Sequence, residues 1–292
     1  MTMTPAQNRL AEPDHSHLLA RPTRAYRGYI FDLDGTVYLG RELLPGALRL
    51  IGELRRRDAR IVFLTNNPTR DPRMYLDKLT GLGIDTRPEE ILNTVMTMTS
   101  WLLENAADKK IFVIGEEPLQ SALIAAGLQL TDRPQDIDVV VASYDRTFEY
   151  RKLQIAFDAI ATHRRAMLVT TNPDVYCPFP NGNGEPDAGA IVAAIEACTG
   201  TKCQVNAGKP DRLMLDTAMR RIGLPAQDCV MIGDRLSTDI AMAVAAGMDS
   251  ALVLTGETTL PMLAAAGIRP TWVLRRIDEL LPESHGQQQF SR

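Results

Sequence analysis

The feature that most constrains this chain is a regular alternation of short apolar runs with longer amphipathic segments. Seven runs rich in β-branched residues recur along the sequence, namely GYIFD, IVFLT, IFVIG, IDVVVAS, AMLVTT, CVMIG and SALVLT. The segments between them carry apolar residues at helical spacing, for example from Pro45, from Tyr150 and from Asp187. Strands that alternate with helices form parallel sheets joined by crossover helices. The pattern therefore predicts an α/β fold with a doubly wound parallel sheet.

Size and charge narrow the class of protein. With 292 residues and 45% hydrophobic content, the chain can bury one large core or two ordinary ones, so we expect two domains. Its 36 acidic and 32 basic side chains give a net charge of -4, which offers no basic field for nucleic acid. The sequence lacks an apolar run near the roughly 18 residues of a membrane span. Small solutes are the expected partners.

Cysteine usage and the two ends of the chain complete this outline. The four cysteines form no C-x-x-C pair and the four histidines no H-x-x-x-H pattern, so we expect reduced thiols, no zinc site and a cytoplasmic location. Residues 1–25 contain three prolines and lack the apolar stretch of a secretory signal, which predicts a disordered tail. Residues 283–292 are polar and predict a second loose tail.

Four segments at strand ends carry polar chemistry: D-L-D at 32–34, T-N-N at 65–67, G-K-P at 208–210 and G-D-R at 233–235. Ligands of open α/β sheets bind at the carboxyl edge of the strands, so we expect these side chains to meet there. A crossover unit takes roughly 30 residues, yet Asn67 and Lys209 are 142 positions apart (209 minus 67). A second domain is therefore predicted between them.

The paired aspartates suggest phosphoryl transfer. Asp32, fixed at a strand end, is predicted to attack phosphorus and to become an acyl phosphate. Leu33 would pack into the core while Gly35 permits a turn, so that Asp34 also reaches the cleft and serves as general acid and base. Two carboxylates and a phosphate ester repel one another, which predicts a hard divalent cation, Mg2+, with Asp234 completing its site.

Two further residues would hold the phosphoryl group. Lys209 supplies a positive charge, and Thr65 with the backbone N–H that follows it supplies hydrogen bonds. Any one of these residues alone is more often a turn or a helix cap. Two other functions also use such groups: a receiver-type phosphoacceptor module, and a sugar transferase that uses a D-x-D pair to hold a metal nucleotide. The ordered set of four motifs favours a phosphatase over both.

These motifs resemble those of the haloacid dehalogenase-like (HAD) phosphohydrolases across about residues 27–280, through F-D-L-D-G-T, F-L-T-N-N, G-K-P and G-D-R-L-S-T-D-I. T-T-N-P-D-V and D-A-G-A-I-V-A-A-I-E resemble, more narrowly, the NagD-like and nitrophenyl-phosphatase branch (subfamily IIA). The resemblance implies a Rossmann-like catalytic core at 26–109 and 202–282. An α/β cap domain would be inserted at 110–201.

The resemblance also implies roles for individual residues. Asp32 would be the nucleophile and Asp34 the acid and base, while Thr65 and Asn66 would hold phosphate. Lys209 would bridge nucleophile and phosphate. Mg2+ would bind Asp32, Asp234 and the carbonyl oxygen of Asp34. Asp239 resembles the family's second acid, which supports the metal site or the lysine; an ordinary acid in the first turn of a helix is the alternative.

A Gly- and Pro-rich segment, residues 176–187, is the predicted specificity loop of the cap. It offers Asn181, Glu185 and Asp187 to a polar substrate, although for any one of these residues a surface loop that ends in a helix cap at Asp187 is the more common arrangement. Arg146 would meet a substrate anion or stay solvated. The sequence as a whole predicts a Mg2+-dependent phosphatase of small phosphorylated metabolites acting through an aspartyl phosphate, without nucleic-acid or membrane partners. It leaves a homo-oligomeric state open.

Overall fold

The computed structural model describes residues 14–179 and 183–282, and it contains two parallel sheets. The larger has six strands in the order β15-β14-β13-β1-β4-β5, every neighbouring pair parallel. With strands numbered along the chain, they are β1 (Gly28–Asp32), β4 (Arg60–Thr65), β5 (Ile91–Asn93), β13 (Cys229–Gly233), β14 (Asp249–Val253) and β15 (Trp272–Leu274). We call this sheet and its helices the core.

The second sheet has five strands in the order β12-β9-β8-β6-β7, again all parallel. They are β6 (Lys110–Ile114), β7 (Gln129–Leu130), β8 (Val139–Ala142), β9 (Met167–Thr170) and β12 (Val205–Asn206). Two antiparallel hairpins complete the strands. These pair β2 (Tyr38–Leu39) with β3 (Glu42–Leu43) and β10 (Tyr176–Pro178) with β11 (Gly184–Pro186).

Helices connect the strands and cover the sheets. They are α1 (Ala47–Arg56), α2 (Pro72–Gly81), α3 (Thr94–Asn105), α4 (Glu117–Ala125), α5 (Tyr150–Phe157), α6 (Ala188–Thr199), α7 (Arg212–Ile222), α8 (Ala241–Ala245) and α9 (Leu260–Ala265). Within the described ranges, no helix is both long enough and apolar enough to cross a membrane. The structure is the α/β fold with a parallel-sheet core that the sequence predicts.

Side chains of the central strand β1 alternate between the two faces of the core sheet. Tyr29 and Phe31 pack on one face with Phe63, whereas Ile30 packs on the other with Val62. Both faces are apolar because helices cover both, which is why buried parallel strands read as unbroken hydrophobic runs. The polar Asp32 comes directly after this run, at the carboxyl edge of the sheet.

All seven apolar runs of the sequence contain strands of the two sheets, while the shortest edge strands have no counterpart in the prediction. The strand β12 is the important omission. It pairs with β9 of the second sheet and ends at Asn206, beyond the boundary at Thr201 expected from the sequence. Lys209 therefore lies just after the end of a strand, as expected, but that strand belongs to the second sheet, whereas the expected boundary at Thr201 assigns this segment to the core.

The segment before β1 differs from the predicted disordered tail of residues 1–25. Residues Ser16–Leu18 form one turn of 3-10 helix. Ala20 then pairs antiparallel with Val273 of β15, through N–H to O contacts of 3.0 and 2.9 Å. The backbone of an edge strand offers hydrogen bonds that a passing segment can take up without any sequence pattern. Residues 1–13, and the predicted tail at 283–292, lie outside the described residues.

We predict that Phe63→Ala lowers the free energy of unfolding by about 3–5 kcal/mol, because it leaves a cavity in a close-packed core. Phe63 is fully buried and stacks on Phe31 with ring centroids 5.8 Å apart. Urea unfolding followed by circular dichroism measures the change. Ile124→Ala on α4 is the control, since Ile124 is 61% exposed and its loss should cost less than about 0.5 kcal/mol. Equal losses for both variants would contradict the packing described.

Candidate active site

Three adjacent strands of the core bring the predicted site residues together. Asp32 ends β1, Thr65 ends β4 and Asp234 follows β13, and β1 lies between the other two strands. All three side chains are buried, and carboxylates such as those of Asp32 and Asp234 are rarely buried without a partner. The carboxyl edge of the core sheet is therefore the candidate active site, as strand order and motif position predict.

Lys209 supplies the positive charge at the centre of this edge. Its Nζ donates a hydrogen bond to Oδ1 of Asp32 and another, 2.7 Å long, to Oδ1 of Asp239. The lysine is 3% exposed and Asp239 is fully buried. Burial alone would lower the pKa of Lys209, but the carboxylates of Asp239 and Asp32 outweigh it and raise the pKa. The lysine is thus held in its charged form.

The contacts of Asp239 favour the first of the two roles left open for it. One carboxylate oxygen accepts from Lys209, and the other accepts from the backbone N–H of Arg235 at 3.1 Å. A Cβ atom at Gly233 would lie 2.3 Å from the Asp239 side chain, so only glycine leaves room for it there. Asp239 lies in the first turn of the helix Leu236–Ile240, as the alternative expects, but it is buried there and contacts Lys209.

Asp34 reaches the cleft because the chain turns sharply after β1. Leu33 is fully buried, and Gly35 has a φ of +84°, a conformation that favours glycine. Solvent reaches the Asp34 side chain, yet the surrounding protein removes enough water to raise the pKa of its carboxyl, against the opposing charges of Lys78 and Arg70. A carboxyl with a raised pKa suits proton donation to a leaving group.

Thr65 and Asn66 follow β4, but their side chains are engaged differently. The hydroxyl of Thr65 accepts from the N–H of Asn67 at 3.2 Å and lies at the core edge. The Asn66 side chain instead grips the backbone of Lys209: Oδ1 accepts from its N–H at 2.8 Å and Nδ2 donates to its carbonyl at 3.1 Å. Nδ2 also donates to Asp174 at 2.9 Å. The Asn66 side chain is therefore hydrogen-bonded to Lys209 and Asp174, whereas the family resemblance implies that Asn66 holds phosphate.

The residues predicted in the cap are mostly paired within the second sheet and its helices. Arg146 makes a two-point contact with Glu116, at 2.6 and 2.7 Å, and Glu185 accepts a hydrogen bond from the Tyr144 hydroxyl. Asp187 caps α6 by accepting from the N–H of Ala188 at 2.5 Å. Its helix-cap alternative is therefore present. Asn181 lies outside the described residues.

Two residues near the site have no place in the sequence prediction. Asp174 lies in the T-T-N-P-D-V segment, directly after Thr171–Pro173, and accepts hydrogen bonds from Asn66 and, at 3.2 Å, from Asn172. Arg235 pairs with Glu257 at 3.0 Å and lies 3.7 Å from Asp174. In the sequence these residues are visible as the acid after T-N-P and the arginine of G-D-R. Their roles depend on contacts between the two sheets, which the sequence pattern does not contain.

The acidic residues of the site fit a hard cation. Oxygen atoms of Asp32, Asp234 and Asp239 lie within 4.8 Å of one another, and these three carboxylates face one lysine that contacts two of them. Oδ1 of Asp234 is buried and has no hydrogen-bond partner within residues 14–179 and 183–282. Burial, and then the charge of Asp239, raise the pKa of Asp234 to about 6. The excess negative charge and the unpaired oxygen are what a divalent cation with oxygen ligands would compensate.

Comparison with known proteins is consistent with this geometry. A model of the haloacid dehalogenase-like hydrolases matches residues 29–129, and a HAD-hydrolase-like model matches residues 206–280. An acid sugar phosphatase of Staphylococcus haemolyticus is 32% identical over 258 residues, covering 88% of this chain and 96% of the relative. The corresponding protein of Staphylococcus aureus is 31% identical over 260 residues, covering 89% and 98%.

Solved structures give the same answer. The 4-nitrophenylphosphatase of Thermotoga maritima superposes with a TM-score of 0.82 at 35% identity, covering 87% of this chain and 96% of its own. NagD from Escherichia coli K-12 superposes with a TM-score of 0.79 at 26% identity, covering 88% and 98%. Matches of this extent include both sheets. The chain therefore belongs to the haloacid dehalogenase-like hydrolases and, within them, to the NagD-like branch of phosphomonoesterases.

Proposed function

We propose that this protein is a Mg2+-dependent phosphatase of small phosphorylated metabolites that acts through an aspartyl phosphate on Asp32. The observation that carries the proposal is the hydrogen bond from the buried ammonium group of Lys209 to Asp32. Asp34, two residues after Asp32, adds a carboxyl group that solvent reaches. The Asp32 side chain keeps 11% exposure, which leaves it open to a small ester at the floor of the cleft. A sugar transferase would leave this lysine contact without a purpose.

In the first step, a carboxylate oxygen of Asp32 attacks phosphorus and the bond from phosphorus to the ester oxygen breaks. Lys209 and Thr65 hold the phosphoryl oxygens while charge redistributes. Asp34, in its protonated form, gives its proton to the departing alkoxide. Its raised pKa supports this role, because more of the acid form is present near neutral pH.

In the second step, the Asp34 carboxylate takes a proton from water, and the water oxygen attacks phosphorus. The bond between phosphorus and the Asp32 oxygen breaks, so that inorganic phosphate leaves and Asp32 is regenerated. Asp34 again holds its proton and the cycle balances. Asp239 contacts no substrate in this scheme, and keeps Lys209 in place through its 2.7 Å hydrogen bond.

Mg2+ would be held by Asp32, Asp234 and the carbonyl oxygen of Asp34. When bound, it would neutralise negative charge on the phosphate and on the carboxylates. The unpaired Oδ1 of Asp234 supports this assignment. The second oxygen of Asp234 already accepts from the backbone N–H of Glu257 at 2.6 Å, which fixes the orientation of the carboxylate.

The proposed substrate class is a phosphate monoester of a small metabolite: a sugar phosphate, phosphoglycolate, glycerol phosphate or a nucleotide. Sugar phosphates come first, because the Staphylococcus relatives are named acid sugar phosphatases. A panel of these esters with Mg2+, ranked by kcat/KM from released phosphate, tests the proposal. Many turnovers per chain support it. One phosphate per chain would indicate a receiver-type module instead.

We further propose that residues 110–206, which extend past the expected boundary at Thr201 to include β12, act as an inserted cap over the catalytic core, with Glu185 and Asp187 near its substrate-facing loop. Asp187 supports this, since its Oδ1 accepts from Asn172 at 3.0 Å, and Asn172 in turn contacts Asp174 where the two sheets meet.

The cysteines of the described residues are unpaired, which fits the expected cytoplasmic location.

Asp32→Asn is expected to abolish turnover while Mg2+ and phosphate analogues still bind, because an amide cannot form the acyl phosphate yet keeps nearly the same shape. Steady-state kinetics measures the first effect, and calorimetric titration with inorganic phosphate the second. Mass spectrometry provides the control, by excluding deamidation back to aspartate. Appreciable activity in the intact variant would remove Asp32 as nucleophile.

Asp34→Asn is expected to separate alkyl esters from aryl esters. An alkoxide leaves only with a proton donor, whereas nitrophenolate leaves readily without one, so the variant should keep the first step for the aryl ester alone. The second step should slow with either substrate because it needs a base. Acid quenching during turnover of 4-nitrophenyl phosphate should therefore trap protein-bound phosphate on Asp32. Equal rate losses for both esters, with no trapped phosphate, would disprove the acid and base role.

Asp234→Asn is expected to raise the Mg2+ concentration for half-maximal activity by about ten-fold or more, because an anionic ligand becomes neutral. Mg2+ titrations of activity, and of the thermal unfolding midpoint, both report the change. Asp216→Asn is the matched control, since Asp216 lies on α7 and pairs with exposed Arg212. An unchanged Mg2+ requirement in Asp234→Asn would argue against this ligand.

A further inference from the structure

A seam between the two sheets passes directly beside Lys209. The chain leaves β12 at Asn206 and reaches Lys209 three residues later. The Asn206 side chain binds both backbone polar groups of Gly208, with Oδ1 accepting from its N–H and Nδ2 donating to its carbonyl, each at 3.0 Å. The catalytic lysine is thus anchored to the edge of the second sheet.

Gly208 itself is enclosed by this seam. A Cβ atom at this position would lie 2.8 Å from the carbonyl oxygen of Thr171 and 2.9 Å from Oδ1 of Asn66. Thr171 belongs to the loop after β9, while Asn66 belongs to the core. The segment before Lys209 therefore fills a gap that admits no side chain. A small shift of either flanking group, Thr171 or Asn66, would therefore move the backbone of Lys209.

Asn66 is the part of the core wall that touches the lysine backbone, and Asp174 determines how its amide is held. With Oδ1 accepting from the N–H of Lys209, Nδ2 must serve the Lys209 carbonyl and Asp174. The reverse orientation of the amide would turn its oxygen toward two acceptors and its nitrogen toward a donor. A carboxylate acceptor also makes this hydrogen bond stronger than a neutral one would be.

Asp174 is well suited to such a role because it is itself fixed. Its side chain is only 14% exposed, and its carbonyl accepts from the N–H of Gly189 on α6 at 2.8 Å. A Cβ at Gly189 would lie 2.4 Å from the carbonyl oxygen of Pro173, so the loop packs directly on this helix. Asp174 thus connects α6, through its backbone, with Asn66 of the core, through its side chain.

We propose that Asp174 is a positioning residue for the phosphatase reaction, which sets the backbone of Lys209 through the side chain of Asn66. The inference rests on the proposed function of Lys209. It adds that a residue from the loop after β9 of the second sheet positions this lysine. Asp174 acts here as a hydrogen-bond acceptor: its Oδ2 accepts from Asn66 and Asn172, while its Oδ1 lies 3.7 Å from the guanidinium of Arg235, a longer contact between charges. An amide at this position keeps an acceptor oxygen, whereas alanine removes it.

The test compares Asp174→Ala, Asp174→Asn, Asn66→Ala and the double variant Asn66→Ala with Asp174→Ala. Displacing a catalytic group by a fraction of its productive geometry costs about ten-fold or more, so Asp174→Ala should lose about that much in kcat/KM for 4-nitrophenyl phosphate. Inhibition by inorganic phosphate should weaken in parallel. Asp174→Asn should stay within about three-fold of the parent. The double variant should be no worse than Asn66→Ala alone.

Asp132→Ala is the matched control, because Asp132 belongs to the same unit and pairs with exposed Arg151. Thermal unfolding identifies variants that no longer fold; if Asp174→Ala is among them, Asp174→Ser, too short to reach Asn66, takes its place with the same expected loss. Parent-like kinetics in the alanine or serine variant would overturn the inference. So would losses that multiply in the double variant, or an asparagine variant as poor as alanine. If the parent protein itself releases no phosphate, the proposed function fails instead.

Discussion

The ammonium group of Lys209 lies out of water between the carboxylates of Asp32 and Asp239, and the catalytic edge is arranged around this contact. Burying charges is costly unless each is paired, and removing one partner of a buried pair leaves the other uncompensated. Here one lysine faces three acids, counting Asp234. The protein alone therefore leaves negative charge in excess. This excess of negative charge is what a bound cation with oxygen ligands would compensate.

The position of Lys209 also shows that the second sheet contributes to the candidate site of the core. Asp32 and Asp239 come from the core, but Lys209 is delivered by β12, the edge strand of the second sheet. Asn66 then fixes its backbone from the core side. The candidate site thus contains residues from both sheets: the core supplies Asp32 and Asp239, and the segment after β12 supplies Lys209. A change in how the sheets meet would move a charge within the site.

The sequence predicts the parallel sheets, and it predicts that the motif segments meet at one edge of the core sheet, for a physical reason. Buried parallel strands are continuous apolar runs, and polar residues at their ends stand out against them. Two-residue strands such as β12 carry no periodic signal, so the origin of Lys209 was missed. The partners of Asn66 were missed because they lie 108 and 143 residues away in the chain. Surface pairs such as Arg146 with Glu116 depend on distances that no local pattern contains.

The short pairing of Ala20 with Val273 bears on how the protein behaves when concentrated. A parallel sheet ends in a strand whose backbone groups can recruit another molecule, and β15 is such a strand. The segment before the first core strand covers part of it and is tied down by the ion pair of Arg21 with Glu279. The backbone groups of Val273 on this edge are thereby already paired. Without the segment, the N–H and the carbonyl of Val273 would be left unpaired, on the kind of sheet edge that can pair with another chain.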